Sequence, residues 1–473
     1  MQQSYHLPAH RQWRPLLASV VLVLSLCFLT VQETYAQGFG IFEQGTCASG
    51  RGGTAVANPC GDGSSIYFNP AGLAGLSGWT LSGGVTNIVQ VGDYTADDTG
   101  ESTDVDSPVS VVPHVYAAYG ATERLGLGLG VYVPFGLNTR WPADFRGAVL
   151  GFDNNLQTIY IQPSVAYQLT DRIKVGGGLV VSVSSVELNQ RLDLSQQVAD
   201  PESGVTFAQL GIPRGTPFAE ATLDADPAVS IGGNFGIQAM VTDRIGLGAR
   251  FTTPIKMNYS GEATFQQVPT NIQLADGNPL GAPAGTPLDA VLQQSFVEGP
   301  LVTQGIETEI TMPAQFVAGL SVQATERLNL MLDYQWTGWS TLDEVPLDFD
   351  VSQLDNAIVL NYGNSNNIRL GAEFAIDDVW TVRGGYVYNR PASPDETVTP
   401  LAPESERNRP TVGLGVKPFP GVELNLAYQF VNQNDRRGRT RGADPGQEVT
   451  TDLNDGLYSI DAHVIATTLT VRF

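Results

Sequence analysis

Lysine is nearly absent from this chain. Lys174, Lys256 and Lys417 are the whole complement, and Lys+Arg 25 against Asp+Glu 48 leaves a formal charge of −23. Such a surface repels phosphate backbones and excludes nucleic acid as a partner. It fits a salt-adapted organism or loops bathed in divalent cations, and composition does not separate these. Histidine is scarce too. Past residue 36 there are His114 and His463, each inside a strand-like run and far apart. Catalysis usually needs a histidine base or a nucleophile beside a carboxylate. No Gly-x-Ser-x-Gly elbow and no His/Cys metal spacing occurs. The expectation is therefore no enzyme, no cofactor and no metal. Long hydrophobic runs are missing after Ala36, so no transmembrane helix is expected.

The one long apolar run lies at the start, from Leu16 to Val31, behind Arg11 and Arg14 and ahead of Thr34-Tyr35-Ala36. Basic, apolar and small-residue regions in that order read as a secretory signal peptide over 1–36. The run is short for a span of ~20 residues. The mature chain would start at Gln37. Export leaves the periplasm, the exterior or the outer membrane as destinations. The length suits two or three soluble domains, or one large barrel. Cys27 would leave with the signal, and Cys47 and Cys60 remain as an even pair in an exported chain. A disulfide is the default, with a chain-entropy contribution of about 3 kcal/mol.

From about residue 80 onward the sequence alternates. Val422, Leu424, Leu426, Tyr428 and Phe430 interleave with Glu423, Asn425 and Gln429; Leu328 to Trp336 repeats the pattern. A period of two gives strands with one apolar and one polar face. Soluble sandwiches show it as well, but three features favour a membrane barrel. The runs are about 10–14 residues long. Connections alternate between very short and very long. Trp336, Trp339, Tyr386, Tyr388, Tyr428 and Phe430 sit near strand ends, as interfacial girdles do. The short connections share one form: Thr122-Glu123-Arg124, Thr170-Asp171-Arg172, Thr242-Asp243-Arg244 and Thr325-Glu326-Arg327. They read as tight periplasmic turns.

Runs near 80–92, 109–121, 124–134, 156–169, 172–187, 228–241, 244–258, 312–324, 327–339, 366–376, 379–390, 408–417, 421–433 and 461–473 make about fourteen strands, an even number. The expected fold is all-β, a transmembrane antiparallel barrel over 79–473. Gly126, Gly128 and Gly130 alternate within one strand and would thin the lumen wall. The acidic stretch Asp97 to Asp106 reads as a solvated loop before a cation site. Two long loops, about 188–227 and 260–311, carry apolar residues, among them Phe207, Leu210, Leu292 and Phe296. They suggest an external greasy landing site, with helical spacing over Leu288 to Val297.

Residues 37–78 do not alternate and are rich in Gly, Ala and Ser. They can dangle in the periplasm or fold into the lumen as a plug. Their motifs are specific: Gly38-Phe39-Gly40-Ile41-Phe42-Glu43-Gln44-Gly45, Ala48-Ser49-Gly50-Arg51-Gly52-Gly53, and Ser64 to Leu73 with Asn69-Pro70-Ala71 at its centre. This resembles the start of the FadL/TodX family of outer-membrane long-chain fatty-acid and hydrocarbon transporters. Val133-Pro134-Phe135-Gly136-Leu137, Tyr334 to Ser340 and Arg383 to Asn389 extend the likeness over essentially the whole mature chain. The two plug cysteines and the loops depart from the pattern.

The resemblance implies a monomeric barrel with an N-terminal hatch in the outer membrane of a Gram-negative-type bacterium. Ligand would meet an external groove between two long loops, then a tighter site near the N-terminal residues. It would leave sideways into outer-membrane lipid at a kink in the third strand. Phe39, Ile41 and Phe42 would offer apolar contact, and Arg51 is a candidate carboxylate partner, although plug arginines more often pair with a barrel acid. Pro134 removes a ladder hydrogen bond and Gly136 permits a bend. They either end the strand at the interface or open a route lined by Val131 and Phe135. The expected ligand is a long-chain fatty acid. Aromatic-hydrocarbon uptake, a general porin and a lipid-modifying enzyme are the alternatives.

Overall fold

The alternation resolves into wall strands with polar side chains inward and apolar side chains outward. The computed structural model describes residues 38–200, 204–278, 280–438 and 454–473. The expected signal peptide, Cys27 and Gln37 lie outside the described residues. Fourteen antiparallel strands close into one barrel. They are β1 Gly78–Ala96, β2 Ser110–Gly120, β3 Leu125–Arg140, β4 Asp153–Thr170, β5 Ile173–Asp193, β6 Pro217–Thr242, β7 Ile245–Thr252 resuming as Ile255–Gln267, β8 Gln304–Met312 resuming as Gln315–Gln323, β9 Leu328–Thr337, β10 Ser365–Ala375, β11 Trp380–Asn389, β12 Arg407–Phe419, β13 Val422–Gln433 and β14 Gly456–Arg472. Each pairs with its sequence neighbours, and β1 pairs with β14 from Thr80↔Arg472 to Ala96↔Gly456. The ring has no free edge where it closes.

The repeated turns have a shared mechanism. The Thr122 hydroxyl accepts from the N–H groups of Arg124 and Leu125 at 3.2 and 3.0 Å. Thr170, Thr242 and Thr325 do the same two and three residues on. Asp377 takes the threonine's place before Val379 and Trp380. The turn arginines then reach sideways: Arg172 meets Asp243 of a neighbouring turn at 3.2 Å.

Strand ends differ from the sequence reading. Several strands rise beyond the apolar band, so the two long loops narrow to the stretches after Asp193 and after Gln267. Trp339 does not join a girdle. Gly338 leaves the extended conformation after Thr337, and Trp339 is fully buried against Phe39 and Phe135. Tyr386 and Tyr428 do face outward. The acidic loop is tied by ion pairs: Asp97 to Arg437, Asp98 to Arg146 and Asp106 to Arg140.

The third strand does not stop at Pro134. It runs on to Arg140 through a bulge: Tyr132 pairs with Tyr160 of β4, then Phe135 with Thr158, leaving one residue extra on β3. A one-residue shift flips every later side chain to the other face. β4 absorbs the shift and keeps pairing. On the other side the β2–β3 ladder ends at Val115↔Val131, where the bulge begins, although β2 continues to Ser110. The wall parts there.

Cys47 and Cys60 are joined in a disulfide. We expect unboiled protein to migrate anomalously on gels and to give a β-type circular dichroism spectrum in detergent. Denatured, non-reduced protein from the envelope should bind no thiol reagent at these cysteines; labelling of either would contradict the bond.

Candidate functional site

Residues 38–77 hydrogen-bond or pack against strands all round the ring, which places this segment within it. Its centre is Asn69-Pro70-Ala71. Asn69 caps a short 3-10 helix, its side-chain oxygen accepting from Ala71 N–H at 3.1 Å, with Pro70 at the first position where no N–H is needed. The amide of Asn69 donates to Val56 O at 2.8 Å and to Ile237 O of β6 at 3.0 Å. Gln162 and Asn234 donate to Ile66 O, and Arg250 to Tyr67 O. Asp333 of β9 accepts from the N–H groups of Ala55 and Val56 at 2.9 and 3.2 Å. Polar wall side chains thus take up backbone groups of an irregular segment that would otherwise be buried unpaired.

Contact this close requires missing side chains. A Cβ at Gly126 would lie 2.1 Å from Leu73 O, and one at Gly236 1.9 Å from Asn69 Oδ1. Gly128 and Gly130 face Ile66 in the same way. The alternating glycines of β3 therefore do thin the wall, and what they admit is the segment.

Arg51 is not free to meet a ligand. It is 1% exposed, pairs with Glu373 of β10 at 3.4 Å and donates to Asn58 O. Burial pushes its guanidinium down from the ordinary arginine value, and Glu373 pulls it back up. Glu373 also holds Arg383 at 2.6 Å. Phe42 lies against the Arg369 guanidinium at 4.4 Å, a cation–π contact, away from the cavity described next.

At the parted β2–β3 wall the N-terminal residues supply the missing partner. Ile41 N–H donates to Pro134 O at 2.8 Å, and Gly136 N–H to Phe39 O at 3.0 Å. Gln44 donates to Val133 O at 2.6 Å. Beside this patch lies a cavity of about 370 Å³, within the range of small-molecule sites. Phe39, Ile41, Ile88, Val133, Gly136 and Leu137 form its apolar part; Glu43, Glu404, Asp461, Arg407 and Arg409 its charged part. Val111 and Val112 of β2 line it too, so it reaches the parted wall. Val131 is absent from the lining: it faces outward, 39% exposed, and is still paired on both sides. Phe135 packs inward against Phe39 and Trp339.

Two of the charges neutralise each other, Arg409 and Glu43 at 3.1 Å. Glu404 accepts from Ser393 N–H at 2.9 Å, and burial pushes its carboxyl above the usual range, favouring the neutral form. Arg407 donates to Gln433 at 2.7 Å. Among the described residues no carboxylate lies within ion-pair distance of it. The sequence reading missed both arginines. Their signal was Arg407-Asn408-Arg409: spacing of two puts both on one strand face.

Phe207, Leu210, Leu292 and Phe296 do come together outside the barrel, in one cluster with Leu288 and Phe218. Phe207 and Leu292 are buried in it and Leu210 and Phe296 half-buried, so these four cover one another where an open groove was expected. Leu288–Leu292 is helical, as its spacing suggests.

Residues 27–473 match the family model described as outer membrane protein transport protein (OMPP1/FadL/TodX). The chain belongs to this family. Among its relatives, a putative outer membrane protein of Neisseria meningitidis is 24% identical, covering 97% of this chain and 99% of that one. A long-chain fatty acid transport protein of Escherichia coli is 22% identical over 85% and 88%. The crystal structure of a Pseudomonas aeruginosa FadL homologue superposes with a TM-score of 0.75 at 19% identity, covering 92% of this chain and 100% of that one. The Pseudomonas putida toluene transporter TodX gives 0.67 at 19% identity with the same coverage. These structural likenesses carry the fold. As a FadL/TodX member the chain is an outer-membrane transporter of hydrophobic compounds. The family's members are transport channels, and the two histidines stand on opposite faces of the wall: His114 buried beside Thr468, His463 outside beside Tyr428.

Asp333 makes the segment's hold testable. Asp333→Ala removes the acceptor of two buried N–H groups, at about 1–3 kcal/mol each. Planar-bilayer recordings should show no large stable openings for the unaltered protein and frequent ones for the variant. Porin-like conductance of the unaltered protein would contradict a held segment.

Proposed function

We propose that residues 37–78 are a plug and that the protein carries long-chain fatty acids by passive diffusion. Ligand enters past the external loops, binds the cavity beside Phe39 and Ile41, and leaves sideways into outer-membrane lipid between β2 and β3. The observation that carries this reading is the cavity's division: an apolar part against the parted wall, and Arg407 with Arg409 at the charged part. A fatty acid has one charged end and one long apolar end. A carboxylate would meet Arg407 without displacing an existing ion pair. One chain supplies all the strands of the barrel, which supports a monomer. Aromatic-hydrocarbon uptake is the second reading, favoured by the likeness to TodX; such a ligand has no use for the arginines.

Pro134 and Gly136 serve the exit. Proline has no N–H to leave unpaired, and the bulge removes β3 from its neighbour. Unpaired backbone in hydrocarbon costs several kcal/mol per group, and the plug residues Phe39 and Ile41 meet that cost from inside.

Uptake of labelled oleate and labelled toluene, in cells lacking their own transporter, tests the ligand. Oleate should enter faster than in empty-vector cells. Arg407→Ala should weaken oleate uptake about 10- to 100-fold, the worth of a charge-assisted hydrogen bond, and leave any toluene uptake unchanged. Toluene uptake without oleate uptake overturns the fatty-acid reading. Gly136→Arg places a long side chain where a Cβ already meets Ile41 Cδ1 at 2.9 Å. It should remove most oleate uptake while the barrel still folds; full uptake would move the exit elsewhere.

A further inference from the structure

The wall parts at β2–β3 where β3 bulges and the β2 ladder does not follow it. The same construction recurs between β6 and β7. Going up from its turn, β7 buries Arg250 and Thr252, then shifts at Thr253-Pro254 and buries Ile255, Met257 and Tyr259. β8 shifts with it at Pro313-Ala314, so Thr252↔Gln315 is followed by Ile255↔Met312 in one continuous register. β6 shifts later. It keeps its phase from Asn234 past Ala228, and its extra residue falls at Asp226-Pro227, between Ser184↔Ala228 and Val186↔Ala225. The β6–β7 ladder is therefore in place at Asn234↔Thr252 and again at Ala225↔Gly261. Between these points Asp226–Gly232 faces Ile255–Ser260 with side chains out of phase, and no ladder pairs form.

The two lips of this seam differ. On β6, Val229 and Ile231 point outward, 67% and 68% exposed. On β7 the outward residues have turned polar: Lys256, ion-paired with Glu309, then Asn258 and Ser260. The seam thus stands where the apolar band ends. Its lumen side is apolar and shut. A Cβ at Gly232 would meet Ile255 Cδ1 at 2.5 Å. Tyr259 reaches past β6, its hydroxyl donating to Ser184 of β5 at 2.8 Å. Ile255, Met257 and Tyr259 belong to the same packed cluster as Phe135 and Trp339, onto which Phe39 packs.

We propose that this seam is a second lateral opening, passing the alkyl chain of a single-chain anionic amphiphile between the outer leaflet and the lumen, with Ile255 and Tyr259 as its shutter. The apolar lip suits the tail, the acidic head follows from the arginines of the cavity described above, and a parted ladder admits one chain more readily than a ring system. The proposal rests on the transport reading above.

The test uses oleate uptake in cells lacking their own transporter, corrected for folded protein by gel migration. Gly136→Arg should leave a remainder above empty vector. Adding Gly232→Trp, which fills the seam against Ile255, should abolish that remainder. Adding instead Ile255→Ala with Tyr259→Phe should raise it several-fold. A remainder that neither change moves overturns the seam, as does uptake already at the empty-vector level that the shutter pair fails to restore. Should Gly232→Trp not fold, the shutter pair alone decides. If the unaltered protein takes up no oleate, the transport reading fails, and labelling judges the seam separately. A diazirine-bearing fatty acid, photolysed in outer-membrane vesicles, should mark peptides holding 226–232 or 255–260; no mark there overturns the seam.

Discussion

Backbone N–H and C=O groups inside hydrocarbon must find partners within the protein, and the rest of this structure follows from that demand. It closes the ring, since a free edge would leave a column of groups unpaired. It also makes a bulge consequential. With a side-chain period of two, one extra residue turns the remainder of a strand inside out. A neighbour can share the shift, as β8 does with β7, and the wall stays whole. A neighbour can also set one residue opposite two and pair on, as β4 does with β3. A neighbour that does neither loses the ladder, as between β2 and β3. Openings in such a wall are made by counting residues, with no strand removed.

Inside the ring the same demand is met by side chains. Gln162, Asn234, Arg250 and Asp333 serve backbone groups of the N-terminal segment. Charges there are dry and expensive, and they come in sets: Glu43 with Arg409, and Glu373 with both Arg51 and Arg383. With the segment held on many sides, an axial path would require breaking several such sets. The sideways path proposed above runs past Gly136 instead.

The barrel was legible in the sequence because its rules are local. Period two, threonine-led turns and the capping chemistry of Asn69-Pro70 each act within a few residues. The strand runs were therefore found in number and order. What sequence alone did not yield depends on partners distant in the chain. Arg51 looks available until Glu373, 322 residues later, is set beside it. Trp339 follows the girdle pattern until Gly338 breaks the strand's phase and turns the indole inward. Phe207 and Leu292 each look exposed in their own loop, and both are buried in one cluster. The strand-end error at Pro134 has the same root, because a proline is fatal to a ladder or harmless according to what lies beside it.

Where β1 meets β14, Trp79 and Phe473 exchange backbone hydrogen bonds at 2.8 and 3.0 Å. Phe473 is thus clasped to a tryptophan just past the proposed plug. This fixes an order of assembly. A folded, cross-linked segment cannot thread through a finished ring that fits it so tightly that glycines are needed along the wall. It must already lie among the strands when the final hairpin swings round to meet β1. Closure is then also encapsulation.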